Sequence, residues 1–299
     1  MESFFRGWGF LIKAWGLMFT VKDLVKPSLY AVLVNSMIIL VGMIPYYFVL
    51  KRVGDHQTQR VILFVLTAVF MFAQYTATYV LSGITIHLIF EYLTQGDGRM
   101  DKAWSIVKGE IWNIMMLAAI STAVGMLRQS VRRDQSGGLD SLASIATGVL
   151  DVLWTEASYL ILPAIVIDNL SFENGVKRAA QIIKENLLLI GISTVGVNVV
   201  VGIVSSVLLI AGAVIALAIL GGVSILVKGI AAVSFLKMVL AALVFFAFWI
   251  GICVFSAYTT SAYYACLYLW AREVKRATVM GKSPAQVPAP APLAAILDL

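Results

Sequence analysis

The sequence predicts an all-α integral membrane protein with six transmembrane helices, and three observations support that fold class. The 299 residues are 61% hydrophobic and only 13% charged, with a mean hydropathy of +0.93. A soluble globular domain is about a quarter charged, so lipid must solvate much of this chain. The charged residues lie in short clusters between long apolar runs, and basic amphipathic segments precede some of these runs.

Six apolar runs are long enough to cross a bilayer, because a hydrocarbon core of about 30 Å needs about 20 helical residues. Pro27 opens the first run and Pro163 interrupts the fourth. The runs indicate a single membrane domain over residues 1–276, followed by a Pro/Ala-rich cytoplasmic tail at 277–299. The six predicted spans lie at about 28–50, 61–93, 110–127, 142–167, 187–220 and 238–270.

Three amphipathic segments are predicted to form helices that rest on the membrane surface. In residues 3–19, apolar side chains recur at steps of three and four and form one stripe, namely Phe4, Trp8, Leu11, Trp15 and Met18. Tryptophan on an apolar face suits the headgroup boundary. A second segment follows the turn at 94–101, and a third begins at Val176. Because a shift of 76 residues aligns Lys108 with Lys184, we predict a threefold repeat of one surface helix and two spans.

The distribution of basic residues predicts the orientation in the membrane. With six spans, both termini and the segments at 93–108 and 167–184 share one side and hold 14 of the 22 Lys and Arg residues. Cytoplasmic segments carry such an excess. We therefore expect both termini and all three surface helices on the cytoplasmic side of a cell (inner) membrane. If the run at 186–227 crossed twice, the split would be 12 to 10 and the bias would nearly vanish.

Asp151 and Glu156 are the leading candidates for a functional site. An acid at membrane depth is energetically costly and is a functional hypothesis by default. Both residues lie in the outward half of the fourth span, near Arg128, Arg132 and Arg133 of the preceding loop. Two interpretations stay open: ion pairs that fix the third and fourth spans, or a polar cavity for an ion, a proton or an amphiphile.

His87 and Glu91 form a second polar pair, four residues apart on the second span, so they can face the same way. A polar seam between packed helices and a proton relay are both open interpretations. Two ligands do not make a metal site, and the sequence contains no phosphate loop or nucleophile with a base and an orienting group. We therefore predict no enzymatic activity, no metal and no cofactor.

Small residues one helical turn apart predict close packing of helices in lipid. Two such pairs lie in the fifth span, Gly202 with Ser206 and Gly212 with Ala216. They favour a homo-oligomer, and the apolar stretch 293–297 is a candidate to dock on a neighbouring subunit through its Pro/Ala tether. The net charge of +6, held in clusters, suits contact with anionic lipid headgroups better than nucleic-acid binding.

An ordered set of motifs covers roughly residues 3–275. LTQGDGRMDKAW and AAISTAVGMLRQ precede the pattern W-x-x-x-x-Y-x-x-x-P-x-x-x-x-(D/E), a KRAA helix follows it, and SAYYACLYLWA lies near the end. The residues of the central pattern are Trp154, Tyr159, Pro163 and Asp168, followed by Lys177-Arg178-Ala179-Ala180.

Together these motifs resemble an uncharacterised family of bacterial six-pass membrane proteins, a domain of unknown function. That family is distantly similar to the membrane domain appended to some glycerophosphodiester phosphodiesterases. Asp168 stands where such families often have Glu. The resemblance implies the fold and topology and carries over no catalytic residue.

The predicted function is structural or organising: a membrane protein that self-associates or anchors partners. The first alternative is a carrier or channel for a small solute, lipid or amphiphile, with Asp151, Glu156, His87 and Glu91 around one cavity. The second alternative is bilayer remodelling by the surface helices. Convergence of the four polar side chains on a void favours transport, whereas separate pairing favours the organising role.

Overall fold

The computed structural model describes residues 2–133, 140–221 and 234–281. These residues form α-helices and one short 3₁₀ helix at Lys22–Leu24, and no strand occurs among them, so the predicted all-α class is confirmed. The helices are α1 (Glu2–Thr20), α2 (Lys26–Arg52), α3 (His56–Gln95), α4 (Met100–Gly109), α5 (Ile111–Arg133), α6 (Asp140–Asp168), α7 (Phe172–Leu220) and α8 (Phe235–Val279).

The length and apolar composition of the helices indicate a membrane protein. In the described part of the chain, five segments are long and apolar enough to cross a bilayer: Lys22–Arg52, His56–Gln95, Ile111–Ser130, Val197–Leu220 and Phe235–Val279. The fourth predicted span, 142–167, falls within α6, where many side chains lie outside the described part. The count of six spans therefore stays a prediction.

Exposed apolar side chains concentrate at one end of the long helices. They occur over 29–50 on α2, 61–69 on α3, 199–217 on α7 and 235–249 on α8. The stretch on α7 is about 28 Å of helix, close to a hydrocarbon thickness of about 30 Å. Soluble monomers rarely expose so continuous an apolar surface. These four stretches, the lipid-facing belt, are where we expect lipid to solvate the protein.

The buried core lies at the other ends of α3 and α8 and in the last turns of α6. Most residues of 79–91 on α3, 158–166 on α6 and 258–271 on α8 are buried. Tyr258 and Tyr263 are among its largest fully buried side chains. The bundle thus has one end that packs against protein and another that faces lipid, and the polar candidates of α3 and α6 lie in or beside the packed end.

The apolar stripe of α1 packs against the bundle. Leu11 and Ala14 are fully buried, and the rings of Trp15 and Phe255 have centroids 4.2 Å apart. The Tyr258 hydroxyl donates a hydrogen bond to the Ala14 carbonyl at 3.2 Å. The sequence predicts a helix that rests on the membrane by this stripe. In the structure, α7 and α8 cover the middle of the stripe, whereas Trp8 is 40% exposed, so the position at the membrane surface stays a prediction.

The other two amphipathic segments differ from each other, and the threefold repeat is not confirmed. The second forms the separate short helix α4, in which Ala103 and Val107 are buried. The third is not a separate surface helix, because α7 runs without a break for 49 residues, or about 74 Å. No proline interrupts the run from Val176 into the fifth span, so the helix simply continues.

The two small-residue pairs of α7 have different surroundings. A methyl group added at Gly212 would lie 2.8 Å from the Cβ atom of Phe248 on α8, and Ala216, one turn further, is also buried. A methyl group at Gly202 would meet no atom within 4 Å, and Ser206 is exposed. One pair therefore packs inside the chain, and the other faces outward on the lipid-facing belt.

We predict that Gly212→Ala lowers the free energy of unfolding by about 1–3 kcal/mol, because the added methyl group overpacks the contact with Phe248. The matched control is Gly202→Ala on the same helix. It is expected to raise that free energy by about 0.5–1 kcal/mol, since alanine favours a helix over glycine. Thermal unfolding of both variants in one detergent measures the difference, and equal melting temperatures would contradict the close contact.

Candidate functional site

The first polar cluster joins the end of α6 to α8. Asp168, the last residue of α6, accepts hydrogen bonds from the Tyr268 hydroxyl at 2.6 Å and from Arg272 Nη1 at 2.9 Å. Asn169 then turns the chain with φ 51°, a left-handed conformation that asparagine tolerates. The Arg272 guanidinium also lies 5.5 Å from the Phe90 ring. This Asp168 cluster fixes where α6 ends and how α8 lies against it.

An open pocket of about 610 Å³ lies beside the Asp168 cluster. At the pocket, Lys275 Nζ donates to Gln181 Oε1 at 2.8 Å, and Arg276 Nη1 donates to Glu273 Oε1 at 2.8 Å. Four cations and one carboxylate belong to the described lining, so the pocket is strongly positive. Its lining residues are Asp168, Arg178, Arg272, Lys275, Arg276, Val279 and Met280.

The second cluster joins the end of α3 to α4. The Glu91 side chain is only 2% exposed, and its Oε1 lies 2.5 Å from Lys102 Nζ. Its Oε2 accepts a hydrogen bond from the Arg99 backbone N–H at 3.2 Å. Glu91 therefore ties the short loop that starts at Gly96, and the helix after it, to α3.

His87 lies one turn before Glu91, as its spacing predicts. The distance from its Nε2 to Glu91 Oε1 is 3.7 Å, which is too long for a hydrogen bond. Neither ring nitrogen has a hydrogen-bond partner among the residues that the structure describes. The pair thus faces the same way without forming a direct proton relay.

The third cluster lies between α6 and α8. Glu156 accepts a hydrogen bond from the Tyr264 hydroxyl at 2.7 Å, and the Tyr264 ring stacks on Tyr159 at 4.8 Å and 7°. Tyr159 also lines a cavity of about 80 Å³ between α3, α5 and α6. Such a volume holds two or three water molecules, whose share of liquid water is about 30 Å³ each.

Hydrogen bonds close one wall of this small cavity. The Tyr79 hydroxyl and Ser121 Oγ are 2.8 Å apart, and Trp154 Nε1 donates to the same Ser121 oxygen at 2.9 Å. Three helices therefore meet at one serine hydroxyl. The Trp154 indole, part of the sequence motif, has a polar partner inside the bundle.

The predicted polar residues occupy different helix contacts. Glu156 of α6 pairs with α8, whereas Glu91 of α3 pairs with α4. The Asp151 side chain lies outside the described residues, as do those of two predicted partners, Arg132 and Arg133. Arg128 lies near the end of α5, on the helix that precedes them.

The Asp168 cluster is not among the sites predicted from the sequence, although its members lie in or next to the motifs. Asp168 ends the central pattern, Arg178 belongs to KRAA, and Arg272 directly follows SAYYACLYLWA. The charged residues in or next to these motifs were therefore a sequence signal for the cluster. Periodicity alone does not show that residues about a hundred positions apart meet at the ends of two helices.

Comparisons with known proteins place the chain in a family whose function is unknown. The sequence pattern of a family of unknown function (DUF6159) matches residues 58–278. No curated protein was found to match the chain. The matched range contains all three polar clusters and excludes α1 and α2. The predicted resemblance to an uncharacterised family is confirmed, but the distant similarity to glycerophosphodiester phosphodiesterases has no support here and stays a prediction.

No group of three or more His, Cys, Asp or Glu side chains that suits a metal ion occurs among the described residues. The chemistry that the three clusters do offer is hydrogen bonding between helices and, at the basic pocket, attraction of anions.

We predict that Glu91→Gln lowers the free energy of unfolding by about 1–3 kcal/mol, because it removes a buried charge that accepts two hydrogen bonds. Lys102 is 48% exposed and regains water, which keeps the loss below that of a fully buried pair. The matched control, Glu173→Gln, breaks an exposed Glu–Lys pair and should change little. Chemical denaturation of both variants checks this, and equal midpoints would show that the Glu91 contact contributes no stability.

Proposed function

We propose that this chain, which belongs to a family of unknown function (DUF6159), is a structural or organising membrane protein that self-associates or anchors partners. The observation that carries the proposal is the separate use of two acids of the predicted polar site. Glu156 is bonded to Tyr264, and Glu91 to Lys102, at different helix contacts. Acids that hold helices together need no transported ion to account for their presence in an apolar bundle.

The size of the polar cavity beside Tyr159 supports the same role. Its volume of about 80 Å³ falls far below the range of about 300–1,000 Å³ that small-molecule sites occupy. Three of its polar lining groups, the Tyr79 and Ser121 hydroxyls and Trp154 Nε1, are already hydrogen-bonded to one another. A carrier or channel built on Glu156, His87 and Glu91 around one void is therefore less well supported.

The outward face of α7 supports self-association. Gly202 and Ser206 lie one turn apart on the lipid-facing belt, and the space above Gly202 is empty. The Ser206 hydroxyl is bonded to the Gly202 carbonyl at 2.8 Å, so it adds little polarity to this face. In lipid, small residues on a helix allow a second helix to approach closely. A second copy of α7 fits this description.

One observation favours a second candidate, a carrier of lipid or another amphiphile. An open groove of about 620 Å³ lies between α1, α2, α7 and α8, within the size range of ligand sites. Its lining is almost wholly apolar, as an acyl chain requires, and includes Met18, Leu29, Leu208, Phe248 and Phe255. Transfer of labelled lipid between vesicles by the reconstituted protein would distinguish this carrier from an organising role.

We further propose six crossings, with α6 as one of them, and both termini in the cytoplasm of a cell with an inner membrane. The excess of Lys and Arg on one predicted side supports this orientation. The start of α2 and the end of α3 then share the cytoplasmic side with α4. The loop at Gly54 between α2 and α3 lies on the opposite side.

Reporter fusions test the topology. We predict that alkaline phosphatase, which is active only outside the cytoplasm, is active when fused after Gly54. The same reporter should be inactive when fused after Gly98 or at the C-terminus. An active C-terminal fusion together with an inactive fusion after Gly98 would show an odd number of crossings between Gly98 and the C-terminus. That result would contradict the six-span proposal, which has four crossings there.

Native mass spectrometry from lipid nanodiscs tests self-association. We predict an oligomer whose mass falls to that of the monomer in Gly202→Leu, because the larger side chain holds the two α7 helices apart. The matched control is Gly251→Leu on α8, where a side chain also meets no atom within 4 Å. An unchanged mass in Gly202→Leu would contradict the α7 interface. A second arm deletes residues 284–299. An unchanged number of subunits in that variant would count against docking of the tail.

A further inference from the structure

The basic pocket beside Asp168 has more cationic donors than the protein uses. Arg272 gives Nη1 to Asp168, but its Nε is buried and has no hydrogen-bond partner in the described part of the chain. Glu273 Oε1 lies 3.8 Å from that nitrogen, which is too far for a hydrogen bond. Lys275 gives one bond to Gln181, although an ammonium group has three donors. Donors therefore remain for a ligand.

The charge of the pocket identifies the ligand as an anion. Among the described lining residues, Asp168 is the single carboxylate, and Tyr268 and Arg272 already bind both of its oxygens. At the rim, Glu273 pairs with Arg276 and so offsets one further cation. The remaining positive charge is held close together, which is unfavourable without a counter-ion. Guanidinium groups with free donors match the oxygens of phosphate.

We propose that this pocket binds a phosphate group and that an anionic phospholipid supplies it. Val279 and Met280 line the same pocket and are 82% and 73% exposed. Exposed apolar side chains beside cations suit a membrane surface, where a phosphate and an acyl chain lie together. The volume of about 610 Å³ leaves space for the headgroup beyond the phosphate. The site goes beyond the organising role and does not depend on self-association.

The position of the pocket also gives lipid binding a structural consequence. Asp168 ends α6, Arg178 lies in the first turns of α7, and Arg272 and Lys275 lie near the end of α8. A phosphate bound by all three cations bridges α7 and α8 beside the end of α6. We therefore expect a bound phospholipid to stabilise this end of the bundle against unfolding.

Lipid retention tests the site. Protein is reconstituted in phosphatidylcholine nanodiscs that contain equal mole fractions of phosphatidic acid and phosphatidylglycerol, and the lipids that stay bound after extraction are counted by native mass spectrometry. We expect the unmodified protein to retain phosphatidic acid over phosphatidylglycerol, because a phosphomonoester carries more charge than a diester. The double variant Lys275→Gln/Arg276→Gln should retain about tenfold less, because it removes Lys275, one of the three proposed ligands, and one charged hydrogen bond contributes about that factor.

Matched variants separate the pocket from general charge. Lys108→Gln/Lys184→Gln also removes two cations, both of them exposed and outside the pocket, and should retain phosphatidic acid as the unmodified protein does. Equal retention by both double variants overturns the proposal. Melting temperatures in pure phosphatidylcholine check that each variant folds. If the pocket variant does not fold, Arg178→Gln replaces it, with the same expected loss.

A soluble arm distinguishes the source of the phosphate. Inorganic phosphate is added to protein in pure phosphatidylcholine nanodiscs at constant ionic strength, and the melting temperature is compared with that in chloride. We expect no shift from inorganic phosphate and a rise with phosphatidic acid that the pocket variant lacks. A rise with inorganic phosphate that equals the rise with phosphatidic acid overturns the lipid as the source. A monomeric protein that still retains phosphatidic acid would contradict self-association and would leave the lipid site supported.

Discussion

The contact of Asp168 with Tyr268 and Arg272 holds the packed end of the bundle together. It closes the end of α6 against α8 at the point where the chain turns into α7. The start of α7 is fixed a second time, because the Phe172 backbone N–H donates to Asn113 Oδ1 at 3.0 Å. Since four long helices thus share one anchoring region, the rest of each helix can extend from it with few polar contacts.

That extension explains the division of the molecule into two environments. Toward the packed end, tyrosines, serines and acids find hydrogen-bond partners on neighbouring helices, which is required where water is excluded. Away from it, the same helices expose apolar side chains that lipid can solvate, and a few close contacts such as Gly212 with Phe248 hold them together. One physical tendency, that a polar group excluded from water is hydrogen-bonded, accounts for most of both halves, and the His87 ring nitrogens and Arg272 Nε are exceptions among the described residues.

The polar groups of the packed end have two different uses. Glu91 and Glu156 each accept a hydrogen bond from a donor on another helix, so both acids stabilise contacts within the protein. The cations around Asp168 are not matched to the same extent, and one Arg272 nitrogen is buried without a hydrogen-bond partner in the described chain. Satisfied acids and under-used cations are consistent with the two proposals, a structural role and a bound anionic lipid.

The sequence by itself determined the helical class and the membrane environment, because the length and composition of an apolar run are local properties of the chain. It also predicted that His87 and Glu91 face the same way, since four residues make about one helical turn. Only the tertiary structure decided that the middle of the α1 stripe is buried, that α7 is unbroken, and that Asp168 meets Arg272. These outcomes depend on which surface lies opposite each residue. Helical periodicity says which face of a helix is apolar or charged, but not which partner covers it.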